Sequence, residues 1–267
     1  SDLIGTKPGN TYDRLRRLAT YAAEYRILNH YRHVAALTDR LAADIHKIAP
    51  RRRPAVLPLG IDASLYPFGA DDPIGARTIG IIGNFSWTPT HRAAVRLLTK
   101  LWPRIKAKVP DAQLLIVGRD AVLRIGRADP NSDVEIVENV PDIIPYFKRL
   151  HVLLYAPAHG SGTKVKVQEA MALGIPVVTN ADGGEGIPAK DGEHWGLAED
   201  DEGLIERTIA LLNDADSRRA RRIAARTLLE VEFGSTRTIG AVLEAYTHIA
   251  PATSVEEAPA TQRERSQ

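Results

Sequence analysis

Apolar residues recur at helical spacing near the start of the chain, across residues 12–29. The positions that share one face are Leu15, Leu18, Ala22, Tyr25 and Leu28. This spacing predicts an amphipathic helix. A short strand at 33–38, a helix at 39–47 and an extended segment at 55–60 are predicted to follow it.

Residues 59–76 interrupt this pattern with a mixture of glycine, proline and aspartate, which is typical of a linker. Beyond residue 77, short apolar runs alternate with amphipathic segments. Strands are predicted at 78–83, 112–118, 134–137, 152–157 and 176–180, and helices at 90–108, 143–150, 165–173, 202–213, 217–230 and 235–249. The last 17 residues hold almost no large apolar side chains and are predicted to be disordered.

The alternation of apolar strands and helices decides the fold class. Strands that are apolar along their whole length are typical of a parallel sheet that is covered on both faces. We therefore predict an α/β fold with a doubly wound parallel sheet, preceded by a partial N-terminal domain. In such sheets ligands bind beyond the carboxyl ends of the strands, so the loops that follow the strands are the candidate site.

Composition and charge limit the kinds of partner that the chain is expected to bind. The 267 residues are 44% apolar, and the net charge of +2 gives no reason to expect nucleic acid as a partner. Residues 1–55 are locally basic, with 11 basic against 5 acidic side chains. This region is either a solvated helix face with a loop, or a surface for an anionic membrane or an acidic ligand.

The sequence contains no pattern that indicates a metal site or a disulfide. The chain has no cysteine, and its eight histidines show no metal-site spacing, so we expect no disulfide and no metal. No apolar run reaches the roughly 18–20 residues of a membrane span, and we expect a cytoplasmic location. Because the first residue is Ser1 and not methionine, we also expect a truncated or processed chain.

The strongest chemical signal is the glycine-rich approach to the helix at 165–173. Gly162 and Thr163 lie before this helix, where free amides and the helix dipole favour a phosphate. Lys164 and Lys166 add charge, and Glu169 shares a face with Lys166, where its carboxylate could accept bonds from ribose hydroxyls. The alternative is structural: Thr163 caps the helix, the lysines are solvated, and Glu169 pairs with Lys166.

The string "GSGTKVKVQEAMALGIPVVTN", followed by "GGEGI", resembles the donor site of the retaining GT-B glycosyltransferases of family 4, also called glycosyl transferases group 1. The resemblance continues through "LPLGIDASLYPF", "GNFSWTPTHRAAVRLLTKLWPRIKAKVPDAQLLIVGRD" and "VPDIIPYFKRLHVLLYAPA". It covers roughly residues 30–250. The resemblance implies a Rossmann-like C-terminal domain that binds a nucleotide-sugar.

The resemblance also implies roles for single residues. Glu169 would bind the donor ribose, and the backbone of Val140 would face the base. Ser161 stands where the family usually has a glutamate near the donor sugar, and His159 lies on the same side. The residues expected at the donor phosphates are Gly83, Asn84, Gly162, Thr163, Lys164 and Lys166.

One feature of the family's phosphate site differs here. Many relatives carry an arginine and lysine pair after the first strand, where this chain reads "NFSWTPTHR". Lys164, Lys166 or Arg92 would have to compensate. Residues 182–186 would close over the diphosphate, although Glu185 could equally be a surface residue. Helix amides and lysines can replace a divalent cation, so the resemblance implies neither metal nor cofactor.

The implied domains are an N-terminal acceptor-domain remnant (1–58), a linker (59–76), the nucleotide-sugar domain (77–233), a C-terminal helix (234–250) and a tail (251–267). Most of the acceptor-binding domain, with the usual catalytic histidine, would be missing, so the catalytic residues are unknown. His91 and His159 are better explained as loop or supporting residues. We expect this chain alone to bind a nucleotide-sugar weakly and to transfer little or nothing.

The implied reaction is sugar transfer from a nucleotide-diphosphate sugar to a hydroxyl acceptor, with retention, in glycan or polysaccharide biosynthesis. The acceptor would be a glycan or a lipid-linked molecule, which allows peripheral association with the inner face of the membrane. A non-catalytic nucleotide-sugar-binding module or pseudo-enzyme is the main alternative. A UDP-sugar epimerase, which shares the architecture, fits the linker and "EAMALGIPVVT" less well.

Overall fold

The computed structural model describes residues 11–158 and 162–247. His159, Ser161 and the predicted tail lie outside the described residues. No helix within the described ranges has the length and apolar character that a membrane crossing requires.

The N-terminal segment has two helices and a small parallel sheet. The elements are α1 (Thr11–His30), β1 (Ala35–Ala36), α2 (Asp39–Ile48) and β2 (Ala55–Val56), and β1 pairs with β2. The start of α2 is fixed by Thr38, whose Oγ1 accepts a hydrogen bond from Leu41 N at 3.2 Å. Both strands are shorter than predicted. Pro54 and Pro58 flank β2 and have no N–H to donate to a longer ladder.

A six-stranded sheet forms the centre of the molecule. Its strands are β3 (Thr78–Ile82), β4 (Gln113–Gly118), β5 (Val134–Glu138), β6 (Val152–Tyr155), β7 (Val177–Thr179) and β8 (Gly196–Leu197). All neighbours are parallel, in the order β5-β4-β3-β6-β7-β8. The strand order reverses between β3 and β6, as in doubly wound nucleotide-binding sheets. The predicted fold class is confirmed.

Helices cover this sheet and bury its central strands. They are α3 (Thr88–Arg96), α4 (Trp102–Lys108), α5 (Ala121–Ile125), α6 (Ile144–Phe147), α7 (Val165–Leu173), α8 (Asp201–Asn213), α9 (Ala215–Phe233) and α10 (Ser235–Thr247). Every residue of β3, β6 and β7 is buried, which explains why these strands are apolar throughout.

Further differences from the sequence prediction concern the helix predicted at 90–108, α5 and β8. The helix predicted at 90–108 begins at Thr88 and contains a π turn over Leu97–Leu101. Pro103 follows this turn and has no N–H for the helical ladder, while Trp102 N donates to Leu97 O across the widened turn. The prediction missed α5 and β8, because five and two residues are too short to show a period.

The segment predicted as a linker packs against the sheet domain. It contains a 3-10 turn, Ala63–Leu65, and Gly69 N donates to Leu173 O at 3.1 Å. Asp72 accepts hydrogen bonds from Arg218 and Arg222 of α9, both of which are buried. These contacts fix residues 63–72 beside α7 and α9.

Candidate functional site

A cavity of about 610 Å³ opens at the carboxyl ends of β3, β4 and β5, where the strand order reverses. Five of the residues predicted for the site line it, namely Gly83, Asn84, Val140, Lys166 and Glu169. The other lining residues are Ile82, Gly118, Arg119, Asn139, Ile143 and Val165. Strand ends and one face of α7 thus bring together side chains from four distant parts of the sequence.

Two glycines let the strand ends approach one another. Gly118 has φ +145°, and a Cβ there would lie 1.8 Å from Gly83 O. A Cβ on Gly83, which has φ +157°, would lie 2.8 Å from Lys166 Cε. The positive φ favours glycine at both positions, and at Gly118 the close approach of Gly83 O also excludes a Cβ. The half-buried Gly83 lies directly beside the Lys166 side chain.

The loops around the cavity are held by short side-chain-to-backbone bonds. Asn84 Oδ1 accepts from Ser86 N at 3.0 Å. Asn139 adopts a left-handed conformation, with φ 54°, and its Oδ1 accepts from Asp120 N at 3.2 Å. Asparagine tolerates this conformation better than most residues. These bonds fix the loops at the exits of β3, β4 and β5.

Lys166 places a buried ammonium group at the edge of the cavity. Its Nζ donates to Thr90 Oγ1 at 2.7 Å and lies 4.3 Å from the centre of the Tyr155 ring. Burial, with a smaller effect from the charge of Lys164, lowers the pKa of Lys166 to about 8. The interpretation of Lys166 as a solvated lysine is therefore wrong. Its direct contacts, Thr90 and Tyr155, are neutral, and Glu169 acts on it only through its charge. A further anion in the cavity would therefore stabilise the ammonium form.

Glu169 lies one turn further along α7 and faces the same cavity. Its Oε1 accepts a hydrogen bond from Tyr66 Oη at 3.3 Å. Burial raises the pKa of Glu169, although Tyr66 and Lys166 oppose this effect. Because Lys166 donates to Thr90 and Glu169 accepts from Tyr66, the alternative in which Glu169 pairs with Lys166 is not seen in the structure.

Gly162, Thr163 and Lys164 precede α7 but do not line this cavity. The helix N-cap residue is Lys164, so the interpretation of Thr163 as the cap is wrong. Thr163 Oγ1 is buried and has no hydrogen-bond partner among the described residues. Lys164 Nζ donates to Gly162 O and lies 3.7 Å from Glu185 Oε2. These three residues therefore face α2 and the 182–186 loop.

Glu185 connects that loop to the N-terminal segment. Its side chain is only 8% exposed, and its carboxylate accepts hydrogen bonds from Thr38 Oγ1 at 2.9 Å and from Arg40 Nε at 2.9 Å. The bonds and charge of Arg40 outweigh burial and lower the pKa of Glu185. The alternative of a solvated surface role for Glu185 is wrong.

Arg119 and Tyr66 are site residues that the sequence prediction missed. Arg119 follows Gly118 at the end of β4, inside a loop that the strand pattern had marked as relevant, and it adds a second cation to the cavity wall. Tyr66 reaches the site from the linker, and nothing in the sequence signals this contact. Within the described ranges, no three histidine, aspartate or glutamate side chains cluster as metal ligands would.

Comparison with solved structures supports this architecture. TarM from S. aureus, solved in complex with UDP, aligns with a TM-score of 0.69 and 16% identity, covering 83% of this chain and 45% of TarM. HepE from Anabaena, in complex with UDP-glucose, gives a TM-score of 0.68 and 14% identity over 86% of this chain and 67% of HepE.

A sucrose-phosphate synthase from Thermosynechococcus elongatus gives a TM-score of 0.65 and 20% identity, covering 86% of this chain and 61% of the synthase. The chain thus spans about half the length of TarM and somewhat more of the other two. Identities this low show the fold alone, which is that of the GT-B glycosyltransferases.

No sequence among the curated proteins matches this chain. The sequence model described as "Glycosyl transferases group 1" matches residues 76–214, which is just over half of the chain. The matched region runs from β3 to the end of α8 and contains every residue that lines the cavity. The chain therefore belongs to the glycosyl transferases group 1 family.

Proposed function

We propose that the cavity at the strand reversal binds the nucleoside diphosphate of a nucleotide-sugar donor. On this proposal the chain is the donor-binding part of a retaining glycosyltransferase of family 4. The observation that carries the proposal is the arrangement of Gly83, Lys166 and Glu169, which line one cavity at the carboxyl ends of parallel strands.

Lys166 and the start of α7 provide the phosphate contacts. Lys166 Nζ lies close to Gly83, and on this proposal it would compensate for the family's missing arginine and lysine pair. The first amides of α7 have no acceptor within the helix and can donate to phosphate oxygens. Asn84, next to Gly83 in the cavity lining, would also contact the phosphates. Gly162, Thr163 and Lys164 would complete it on the side that faces α2.

Glu169 and Val140 provide the nucleoside contacts. A carboxylate that is partly buried gains from hydroxyl donors, and the ribose has two neighbouring hydroxyls. Val140 lies in the loop after β5, the edge strand of the sheet, whereas Lys166 lies on α7, which follows β6. The backbone of Val140 would therefore contact the base at the end of the cavity away from Lys166. His159 and Ser161 would lie beside the donor sugar.

The reaction we propose is transfer of the sugar to a hydroxyl acceptor with retention. The acceptor oxygen would form a bond to the anomeric carbon on the face from which the diphosphate leaves, and the departing phosphate would take the acceptor proton. Lys166 and the helix amides would stabilise the charge that develops on the leaving group, in place of a metal ion. No cofactor is needed.

The biological setting follows from the same proposal. Two of the structural neighbours were solved in complex with UDP or UDP-glucose, so a UDP-sugar is the first donor to test, with GDP-sugars second. We propose a glycan or lipid-linked acceptor, and a cytoplasmic location or peripheral binding at the inner face of the membrane. The basic residues of 1–55 would favour an anionic surface.

Isothermal titration calorimetry with UDP and GDP tests the proposal. We expect one of them to bind, and we expect Lys166→Met and Glu169→Gln each to weaken binding about tenfold or more, since each removes a charge-assisted contact. Arg124→Gln is the matched control, because Arg124 lies on α5 and does not line the cavity. Failure of the unaltered chain to bind any nucleoside diphosphate would overturn the proposal.

A second candidate is a non-catalytic nucleotide-sugar-binding module. Ser161 favours it, since the family's usual glutamate is absent from that position. Turnover of a UDP- or GDP-sugar separates the two candidates, because a binding module retains the affinity for UDP but releases no UDP from the donor.

A further inference from the structure

We propose that Tyr66 is a positioning residue of the donor site, which orients the Glu169 carboxylate toward the ribose. This inference rests on the proposed function, because it assigns Tyr66 a part in the same nucleotide site. The observation behind it is the hydrogen bond from Tyr66 Oη to Glu169 Oε1, which joins two residues 103 positions apart.

Tyr66 approaches Glu169 from outside the donor cavity. A second cavity of about 460 Å³ adjoins the first and shares Ile143 and Glu169 with it. The remaining residues that line this second cavity are Leu65, Tyr66, Pro141, Asp142, Ile144, Phe147 and Leu173. Glu169 thus stands between two cavities. Tyr66 faces one of them, and the proposed diphosphate residues Gly83 and Lys166 face the other.

The position of Tyr66 is fixed by its backbone. Tyr66 N donates to Ala63 O at 3.1 Å and closes the 3-10 turn. Arg226 Nη1 donates to Tyr66 O at 3.0 Å and also to Ala172 O at 2.5 Å. Because Ala172 belongs to α7, one guanidinium ties the linker to the helix that carries Glu169. The distance between Tyr66 and Glu169 is therefore set by two ordered elements.

This geometry gives the two oxygens of the Glu169 carboxylate different partners. A carboxylate has two oxygens, and a hydroxyl donor on one of them restricts rotation of the group. With Oε1 held by Tyr66, the carboxylate is ordered before the nucleotide arrives, and Oε2 is left for a ribose hydroxyl. Burial and the neighbouring Glu169 charge raise the pKa of Tyr66, so the phenol stays a hydrogen-bond donor at neutral pH.

The test compares UDP with 2′,3′-dideoxy-UDP, which lacks both ribose hydroxyls. We expect the unaltered chain to prefer UDP by about tenfold or more, which is the size of charge-assisted hydrogen bonds. Tyr66→Phe keeps the ring and removes the hydroxyl. We expect this variant to bind UDP about fivefold more weakly and dideoxy-UDP with unchanged affinity, since only the ribose contact is disturbed.

Tyr146→Phe is the matched control, because it makes the same chemical change at a tyrosine that lines neither cavity. Equal weakening of both ligands by Tyr66→Phe would indicate a merely structural role and overturn the inference. An unchanged preference for UDP in Tyr66→Phe would overturn it as well.

Glu169→Gln separates this inference from the proposed function. Loss of the UDP preference in Glu169→Gln, with its retention in Tyr66→Phe, would overturn the role of Tyr66 alone. If Glu169→Gln prefers UDP over 2′,3′-dideoxy-UDP as strongly as the unaltered chain does, the assignment of the ribose to Glu169 fails. The role of Tyr66 then fails with it. Absence of UDP binding to the unaltered chain would instead overturn the donor site itself.

Discussion

Lys166 is the residue on which the proposed phosphate site depends most. It is a lysine that burial has made easier to deprotonate, and its near neighbours are a threonine hydroxyl, an aromatic ring and the backbone of Gly83. A sequence shows that a lysine is present, but its burial depends on how Thr90 and Tyr155 pack around it. The local pattern therefore located this residue without revealing its environment.

The lowered pKa of Lys166 predicts the pH dependence of nucleotide binding. Only the ammonium form attracts a diphosphate, and the free site loses that form as pH rises through about 8. We expect the affinity for UDP to fall between pH 7 and pH 8.5 in the unaltered chain. In Lys166→Met the affinity should be lower and nearly constant over this range.

Calorimetric titrations at half-unit pH steps measure this profile. The range lies above the second phosphate pKa of about 6 and below the ionisation of the uracil ring, so the ligand's own charge stays nearly constant. A loss of affinity above pH 8 that persists in Lys166→Met would contradict the assignment.

At the scale of elements, the sequence pattern predicts the central strands and the main helices, but not the π turn or the shortest strand. The residues of β3, β4 and α7 are predicted within a residue or two, because β3 and β4 are continuous apolar runs and α7 lies between a glycine-rich segment and Gly174. The π turn at Leu97–Leu101 and the short β8 were missed, because Pro103 and tertiary pairing decide them. The positions of the loops after the strands could be predicted, but the contacts between their side chains could not.

The contact between residues 63–72 and α9 gives a prediction about stability. Asp72 accepts hydrogen bonds from Arg218 and Arg222, whose side chains are 7% and 2% exposed. Asp72→Ala would leave two buried guanidinium groups without their carboxylate. We expect the free energy of unfolding to fall by about 3 kcal/mol, as in other broken buried ion pairs.

Asp71→Ala is the control, because Asp71 is 83% exposed and pairs with an exposed arginine, Arg219. Its loss should cost less than about 1 kcal/mol. Urea denaturation of both variants measures the difference. A similar small loss in the two variants would show that Asp72 does not hold this segment against α9.

At the scale of the whole molecule, function depends on contacts between distant segments. Tyr66 meets Glu169 from 103 residues away, and Arg40 of α2 meets Glu185 from 145 residues away. Periodicity describes one segment at a time, so neither contact could be predicted from it. The fold class and the loops that form the site could be predicted, because parallel strands place their carboxyl ends at one edge. The roles of Gly83, Asn84 and Val140 were implied only by the family resemblance.

The central claim is that the cavity at the strand reversal is a nucleoside diphosphate site. The most direct measurement is a crystal structure of this chain with bound UDP. We predict density for the uracil beside Val140, ribose hydroxyls within hydrogen-bond distance of Glu169, and the diphosphate beside Lys166 and Gly83. UDP bound at another surface, with this cavity empty at saturating nucleotide, would contradict the claim.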